Sequence, residues 1–294
     1  MTRRALLAGA VVPSMLDAAP RISAPLFARL FDEAAGRLSV IHGLPGSLVS
    51  TLAGEPPPKV LAASAAKQYL VHLDSQAQSA LWTFDGAAVP LPLLPPSPPP
   101  SQQRVVLSEE GDAAAFEYEA GTWLASGLPD APRLRPAEPG GQTLAVSGAK
   151  LLVQDLAALW LVEGPARTQL LDSGPVQVAF TRSGVAAATA DAVRHWDART
   201  ATWVTLLTRE QGLREPLALA ADGDALLVAD REAGCVFELR SGGVARHDCY
   251  QAPSRLMPLG GRRFLLNGFS EPSVLVLSLS PGERGIATVA RGGA

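Results

Sequence analysis

A large residue recurs along the chain at intervals of close to 40 positions. The tryptophans Trp82, Trp123, Trp160 and Trp196 are 41, 37 and 36 positions apart, and Phe237 follows another 41 positions on. Each of these residues lies in a short apolar run, which is followed by a turn of Gly, Asp or Ser and then by a second apolar run. A fixed period of this length indicates stacked copies of one structural unit, because a single copy cannot bury its apolar face alone.

A second series of turns precedes the large residues. In each unit two apolar runs flank a tight turn, and five of these turns carry a glycine, at Gly111, Gly148, Gly184, Gly223 and Gly261. Glycine suits such turns because tight hairpins often require a positive φ. Together the two series predict four short strands, which we call A to D, in every unit of about 40 residues. No run with the period of a helix follows the N-terminal segment.

Four-stranded antiparallel units of this length are typical of the blades of a β-propeller. We therefore predict an all-β fold, with a single propeller domain over residues 21–294 and seven blades; six blades with an additional N-terminal hairpin is the alternative. Six units look complete and begin near Lys59, Gln103, Gly141, Val176, Leu217 and Ser254. The hairpin 26–42 is interpreted as strands C and D of the seventh. The segment GIATVA (285–290) either contributes a strand to the seventh blade, which removes an exposed edge, or completes the blade that begins near Ser254.

The first 20 residues have the layout of an export signal. Arg3 and Arg4 precede an apolar run from Ala5 to Val12, which is too short to span a bilayer and resembles a twin-arginine signal. We therefore predict a periplasmic or secreted protein. A cytoplasmic protein with an ordinary apolar N-terminus is the alternative. No later run is long enough for a membrane span.

A proline-rich stretch at residues 88–103 lies between the second and third units. Five of its prolines fall within positions 95–100. Proline cannot donate a hydrogen bond to a sheet and favours an extended backbone. We therefore predict a stiff surface connector here.

The composition restricts the class of partner. The apolar fraction of 47% and the charged fraction of 18% are those of a folded globular protein. The formal net charge is −3, and lysine and arginine do not cluster. A nucleic-acid-binding surface needs such a basic cluster, so we expect no nucleic-acid partner. We also expect a monomer.

An acid or amide recurs at the connection between strands B and C. Its positions are spaced by 45, 36, 36, 39 and 37 residues and are Asp74, Glu119, Asp155, Asp191, Asp230 and Asn267. We call these six residues the B–C ring, because all B–C connections of a propeller emerge at one end. A ring of one charge sign would focus the field there and hold a cation or a basic partner. The alternative is that each residue stabilises its own turn by accepting backbone hydrogen bonds.

The two cysteines lie on strands C and D of one hairpin. If Arg240 pairs with Gly243, Cys235 faces Asp248, and Cys249 is one residue out of register. A bulge would bring the two sulfur atoms together, and export would permit a disulfide. Without the bulge they are two small apolar residues.

The segment LLVADREAGCVFELRSGG (226–243) is similar to the NHL and YVTN-type repeats, in which VAD is followed by a polar turn and a strand that ends in glycine. The segment VRHWDART (193–200) resembles the end of a WD repeat, although the Gly-His dipeptide of that family is missing. The whole chain resembles uncharacterised exported bacterial propeller proteins. This resemblance implies a fold and no reaction, because propellers include both binding modules and enzymes.

Two classes of function fit these features. The first is a binding or scaffold module that presents one loop face to a protein, peptide or glycan. The second is a metal-dependent, lactonase-like hydrolase with a central-channel site, for which calcium is the cofactor. Such an enzyme should gather Asn, Asp, Glu and His at the channel mouth, whereas the chain has one Asn and four dispersed histidines, His42, His72, His195 and His247. We therefore predict a binding module without a cofactor or catalytic residues.

Overall fold

The chain folds into short strands that follow the predicted repeat. The computed structural model describes residues 25–291 except 34, 45–46, 77, 92–103, 119–120, 139, 157, 176, 269–270 and 272. The predicted export signal, residues 1–20, and Glu119 of the B–C ring lie outside the described residues. Among the described residues, strands dominate, and one short 3-10 helix (Arg209–Gln211) follows a strand end.

The strands are, in chain order, β1 (Leu26–Asp32), β2 (Arg37–His42), β3 (Leu48–Gly54), β4 (Val60–Ser64), β5 (Tyr69–Leu73), β6 (Ser79–Thr83), β7 (Ala88–Val89), β8 (Arg104–Leu107), β9 (Ala113–Tyr118), β10 (Gly121–Ser126), β11 (Arg133–Ala137), β12 (Gln142–Ser147), β13 (Lys150–Asp155), β14 (Ala158–Glu163), β15 (Ala166–Leu171), β16 (Gln177–Thr181), β17 (Gly184–Ala188), β18 (Ala192–Asp197), β19 (Thr202–Thr208), β20 (Pro216–Asp222), β21 (Ala225–Asp230), β22 (Cys235–Arg240), β23 (Gly243–Asp248), β24 (Met257–Gly260), β25 (Arg263–Leu265), β26 (Val274–Ser278) and β27 (Gly285–Arg291).

Most strands form four-stranded antiparallel sheets in which consecutive strands are neighbours. Five such sheets contain β4–β7, β8–β11, β12–β15, β16–β19 and β20–β23. The remaining strands form one seven-stranded sheet in the order β1-β2-β3-β27-β26-β25-β24, which we call the closing sheet. The all-β prediction is confirmed, and the six predicted complete units begin within three residues of β4, β8, β12, β16, β20 and β24. The recurring large residues lie in third strands, as predicted.

The first hairpin was assigned to the wrong strands. We interpreted residues 26–42 as strands C and D, but β1 contacts β24 and β4, which are first strands of their units. The hairpin β1–β2 is therefore an A–B pair, and β3 follows it as a third strand. The two kinds of hairpin have the same pattern of apolar run, turn and apolar run, so the local sequence does not separate them. The segment 285–290 lies in β27, which pairs antiparallel with β26 and parallel with β3.

The predicted proline-rich connector begins later than residue 88. Ala88 and Val89 form β7, the fourth strand of its sheet, and pair with Trp82 and Leu81. Residues 92–103 lie outside the described part of the chain. The sheet therefore includes the first two residues assigned to the connector.

The core lies between neighbouring sheets. Phe237 of β22 packs in one cluster with Leu207 and Leu213, which belong to the preceding sheet and the segment that follows it. Strand β21 is buried at every position, because other sheets cover both of its faces. The fourth strand of the same sheet, β23, is exposed at most positions. Burial therefore decreases from the inner strands of a sheet to its outer edge.

A buried carboxylate links the β20–β23 sheet to the closing sheet. Glu238 of β22 is fully buried and accepts hydrogen bonds from Arg240 Nε at 2.6 Å, from His247 Nε2 at 3.0 Å and from Arg284. Arg284 directly precedes β27. Burial raises the pKa of Glu238, but the hydrogen bonds from His247, Arg240 and Arg284 outweigh it and lower the pKa to about 2.

This depressed pKa predicts a loss of stability in acid. Because the folded pKa lies below the unfolded value of about 4.5, the contribution of Glu238 is fully present above that value and is lost as the pH falls towards 2. We expect Glu238→Gln to lower the free energy of unfolding by about 2 kcal/mol at pH 6 and by much less at pH 3. Urea unfolding at the two pH values measures the difference. The control is Glu163→Gln, since Glu163 forms an exposed pair with Lys150. A cost that does not change with pH would contradict the prediction.

Candidate functional site

The antiparallel order of the strands separates two sets of turns. Turns between first and second strands lie at one end of each sheet, and connections between second and third strands lie at the opposite end. We call these the A–B end and the B–C end. The A–B end contains the turns at 108–112, 182–183, 223–224 and 261–262, among others.

The five described members of the B–C ring lie at B–C connections, as predicted, and three of them bond their own connections or the adjoining backbone. Asp74 Oδ1 accepts the backbone N–H groups of Gln76 at 2.8 Å and Gln78 at 3.0 Å. Asn267 is fully buried and donates to Ser273 O at 2.5 Å while it accepts from Leu275 N at 2.7 Å. These residues therefore stabilise turns, as the alternative interpretation has it.

Asp230 is the most enclosed acid of the ring. It is fully buried, and its two oxygens accept three backbone N–H groups. The donors are Arg214 at 2.7 Å, Glu215 at 3.0 Å and Ala233 at 2.8 Å. Arg214 and Glu215 precede β20, whereas Ala233 lies in the connection after β21. Asp230 therefore joins the start of one sheet to its B–C connection.

Two further ring residues form ion pairs with arginines. Asp155 contacts Arg167 at 3.1 Å, and Asp191 contacts Arg209 at 3.1 Å. The Asp191 side chain is 82% exposed, so its pair lies in solvent. Among the described residues, no three His, Cys, Asp or Glu side chains are grouped closely enough to hold a metal ion. Whether the ring binds a cation stays a prediction.

The cysteines are free thiols in this structure. Arg240 pairs with Gly243 and Cys235 with Asp248, which is the predicted register. The ladder between β22 and β23 has no bulge, so Cys249 lies one residue beyond the partner of Cys235. Burial raises the pKa of Cys235 to about 12 and that of Cys249 to about 11. Both groups are therefore protonated and poorly nucleophilic at neutral pH.

His195 is the histidine that most closely approaches a hydroxyl group. Its Nε2 lies 2.9 Å from Thr181 Oγ1 and 3.3 Å from Ser183 Oγ. Burial lowers the pKa of His195, while the charge of Asp197 raises it. Asp197 Oδ1 accepts the backbone N–H groups of Arg199 and Thr200. Both hydroxyl groups approach the same nitrogen of His195, and Asp197 is hydrogen-bonded to its own turn. These residues therefore do not form the series of acid, histidine and serine that activates a serine nucleophile.

A cavity of about 650 Å³ lies between the first strands at the A–B end. Residues of β8, β12, β16, β20 and β24 and of their A–B turns line it. A second cavity of about 500 Å³ is lined by residues of β4, β8, β20 and β24 and of the segments next to them. Glu109, in the turn between β8 and β9, lines both cavities. This position makes Glu109 the central side chain of the candidate site.

The Glu109 side chain crosses the space between the first strands. Its Oε2 accepts the backbone N–H of Ala221 at 2.8 Å, and Ala221 lies in β20, three sheets further along the chain. Burial raises the pKa of Glu109 to about 7; the hydrogen bond from Ala221 opposes this rise, and the charge of Glu110 adds to it. Glu109 thus changes its charge near neutral pH.

The arginines of this cavity are already paired with acids. Arg262 Nε lies 3.0 Å from both carboxylate oxygens of Asp222, and Arg182 contacts Asp224 at 2.9 Å. Arg263 contacts Glu283 at 2.8 Å. By contrast, Glu109, Glu110 and Asp112 on one turn have no ion-pair partner within the described part of the chain. The unmatched charge of the cavity is therefore negative.

Our sequence interpretation missed this site. It named the B–C ring as the candidate site because an acid or amide recurs there in every complete unit. The A–B turn SEEGDA (108–113) carries three acids, which is a visible signal, but a similar turn, ADGDA (221–225), carries its acids in ion pairs with arginines. The first turn differs in its free acids and in the contact between Glu109 and Ala221, and both differences depend on residues that are distant in the sequence.

The raised pKa of Glu109 predicts that its ionisation destabilises the fold. Its folded pKa of about 7 exceeds the unfolded value of about 4.5, so stability falls as the pH rises through this window. We expect Glu109→Gln to be more stable than the wild type at pH 8 and equally stable at pH 4.5, since Gln keeps an acceptor for Ala221. Urea unfolding at both pH values measures this. The control Glu232→Gln changes an exposed acid of the B–C end and should not alter the pH profile. Parallel profiles for Glu109→Gln and the wild type would refute the prediction.

No helix among the described residues is long and apolar enough to cross a membrane.

Comparisons with known proteins show the fold. No protein-family model matches the chain, and no curated protein matches it. The structure of BBS1N in complex with ARL6DN is similar, with 14% identity and a TM-score of 0.50 over 90% of this chain and 91% of that one. The computationally designed Ika8 protein is also similar, with 13% identity and a TM-score of 0.52 over 92% and 90% of the two chains. BBS1 is a propeller. These likenesses, together with the four-stranded antiparallel sheets, show that this chain has a β-propeller fold.

Proposed function

We propose that this chain is a binding module that engages a protein partner at its A–B end. The observation that carries this proposal is the cavity of about 650 Å³ at that end, in which the arginines are paired and the acids of one turn are not. The occurrence of BBS1N in a complex with ARL6DN supports a protein as the class of partner. Propellers host many functions, so the site and not the fold directs the choice.

The proposal includes a ring of seven blades, with β1–β3 as the seventh. Contacts between first strands support this count, because they join β24 to β1, β1 to β4, β4 to β8, β8 to β12, β12 to β16 and β16 to β20. One hydrophobic cluster also joins the β20–β23 sheet to the closing sheet, through Val236 and Leu275 among others. The repeat type that we favour is the NHL or YVTN type, on the similarity of residues 226–243.

Photocrosslinking at the two ends tests the proposal. A photoreactive amino acid replaces Asp224 at the A–B end or, as the matched control, Glu232 at the B–C end; both positions are exposed acids in turns. We expect position 224 to yield an adduct with one protein, identified by mass spectrometry, which then binds the purified wild-type chain. An adduct formed only from position 232, or an adduct with a glycan or short peptide, would overturn the assignment of end or of partner class.

The calcium-dependent hydrolase requires a different use of the B–C ring. Its acids would have to exchange their present partners for a metal ion, and Asp230 would lose three backbone donors. We expect millimolar calcium to leave the melting temperature unchanged. A ligand that binds only the folded state must raise it. If calcium raises the melting temperature and Asp191→Asn or Asp155→Asn abolishes that rise, the result would favour the hydrolase.

We also propose that the protein is exported, on the basis of Arg3, Arg4 and the apolar run that follows them. Cell fractionation of the full chain tests this. Replacement of both arginines by lysine should retain the protein in the cytoplasm if the twin-arginine route is used. Unaltered fractionation of that variant would contradict the proposal.

A further inference from the structure

Two cavities meet at one carboxylate. The volumes of about 650 and 500 Å³ fall within the range of pockets that accept small ligands or single side chains. Glu109 lines both, and its Oε2 is held by Ala221 N at 2.8 Å. That hydrogen bond uses one acceptor site of Oε2. A carboxylate oxygen carries two acceptor sites, so Glu109 retains acceptor capacity towards the cavity.

The charges around Glu109 favour a cation. On its own turn it is flanked by Glu110 and Asp112, and Asp112 accepts a hydrogen bond from Ser108 Oγ at 2.8 Å. The other charged groups that line the cavities are in ion pairs, which are Arg262–Asp222, Arg182–Asp224, Arg263–Glu283 and Arg255–Glu33. The stem of Lys67 packs against Gly111 of the acidic turn, but Lys67 forms no ion pair with Glu109 within the described residues. Glu109 is partly buried, and within the described residues it forms no ion pair. A cationic ligand that enters the cavity would therefore meet a carboxylate whose charge is not already compensated.

We propose that the A–B cavity receives the guanidinium group of an arginine side chain of a partner protein, with Glu109 as its counter-charge. This inference rests on the proposed function, since it names the group by which the partner is recognised. A guanidinium presents a planar fork of donors that matches a carboxylate, and it is more weakly hydrated than the ammonium group of lysine. It is therefore the cation that enters a partly enclosed site most readily.

Binding should depend on pH because only the ionised carboxylate attracts the cation. With a pKa of about 7, roughly a tenth of Glu109 is ionised at pH 6 and roughly nine tenths at pH 8. The affinity for a guanidinium should therefore be about tenfold lower at pH 6 than at pH 8. Binding should in turn lower the pKa of Glu109, because the two equilibria are linked.

The experiment uses N-acetyl-arginine methylamide as the probe and the full chain labelled with 15N. The amide resonance of Ala221 reports the site, since this N–H donates to Glu109. We expect saturable shifts at pH 8, an affinity about tenfold lower at pH 6, and an affinity at least about tenfold lower for the neutral citrulline analogue. Glu109→Gln should abolish the preference for arginine over citrulline. Glu232→Gln, which removes the same charge at the B–C end, should retain it.

Three results of this experiment would contradict the role of Glu109. Equal binding of arginine and citrulline, arginine binding that Glu109→Gln leaves unchanged, or no shift of Ala221 at 50 millimolar probe (about 50-fold above a millimolar constant) would each overturn the inference. Thermal melting of Glu109→Gln shows whether that variant is folded, and the citrulline comparison in the wild type does not depend on it. The probe tests the site without a partner. If the probe does not bind but position 224 yields a crosslink, the recognition of an arginine is refuted and the proposed binding module is retained.

Discussion

Replacement of Asp230 by alanine is expected to lower the free energy of unfolding by about 3 kcal/mol. The substitution removes a fully buried carboxylate and leaves the N–H groups of Arg214, Glu215 and Ala233 without their acceptor. Hydrogen bonds to a charged group contribute about 1.5–3 kcal/mol each, and three that share one acceptor are not additive. Asp230→Asn keeps one oxygen and should cost about half as much. Urea unfolding of the two variants gives the values.

The matched control is Asp191→Ala, because Asp191 is the B–C ring residue of the preceding unit. Its side chain is 82% exposed and forms one ion pair with Arg209. Exposed ion pairs contribute little, so the cost should be at most about 0.5 kcal/mol. Equal costs at the two positions would show that the repeat, rather than the local contacts, determines the energetic role of this residue.

Gly184→Ala is expected to destabilise the protein by about 3 kcal/mol. A Cβ added to Gly184 would lie 1.8 Å from the carbonyl oxygen of Trp196, 3.0 Å from its carbonyl carbon and 3.1 Å from Ala198 N. These are backbone atoms of the paired strand β18 and of the residue that follows it, so the clash is relieved only if β17 and β18 separate. The hydrogen bonds between the two strands would weaken as a result. Thermal and urea unfolding measure the loss.

The control for this variant is Gly242→Ala in the turn between β22 and β23. A Cβ at Gly242 meets no atom within 4 Å, and its φ is not positive. Such a substitution is neutral or stabilises by about 0.5 kcal/mol, because it restricts the unfolded chain. A loss at Gly242 as large as that at Gly184 would indicate that alanine disrupts turns in this fold generally and that the clash is not the cause.

The repeat made the strands and their hairpins predictable, whereas the environment of each copy was not. The period located the third strands and the B–C connections, because these depend on local pattern. Asp230 and Asp191 are the B–C ring residues of consecutive units, yet Asp230 ends β21 and is fully buried, whereas Asp191 lies in the connection before β18 and is exposed. The difference arises from the segment that precedes β20, whose N–H groups of Arg214 and Glu215 point at Asp230. A period in sequence carries no information about such neighbours.

The candidate site depended on still more distant contacts. The burial of Glu109 results from its position opposite Ala221, which lies three sheets away along the chain. The assignment of β1–β2 likewise required its contacts with β24 and β4. Both contacts join segments that only a closed arrangement of sheets brings together. Hairpin patterns are local, so they were sufficient for the strands and insufficient for the site.

The parallel pairing of β27 with β3 has a consequence for the order of folding. Val289 pairs with Leu48, which lies 241 positions earlier, whereas the strands of the five four-stranded sheets pair with their sequence neighbours. Local pairs form rapidly, and pairs of large sequence separation form slowly. On a ribosome the middle sheets can therefore assemble while the last strand is still being synthesised. The join between the two ends of the fold is then the final step, and until it forms the outer edge of β3 is open to pairing with other chains.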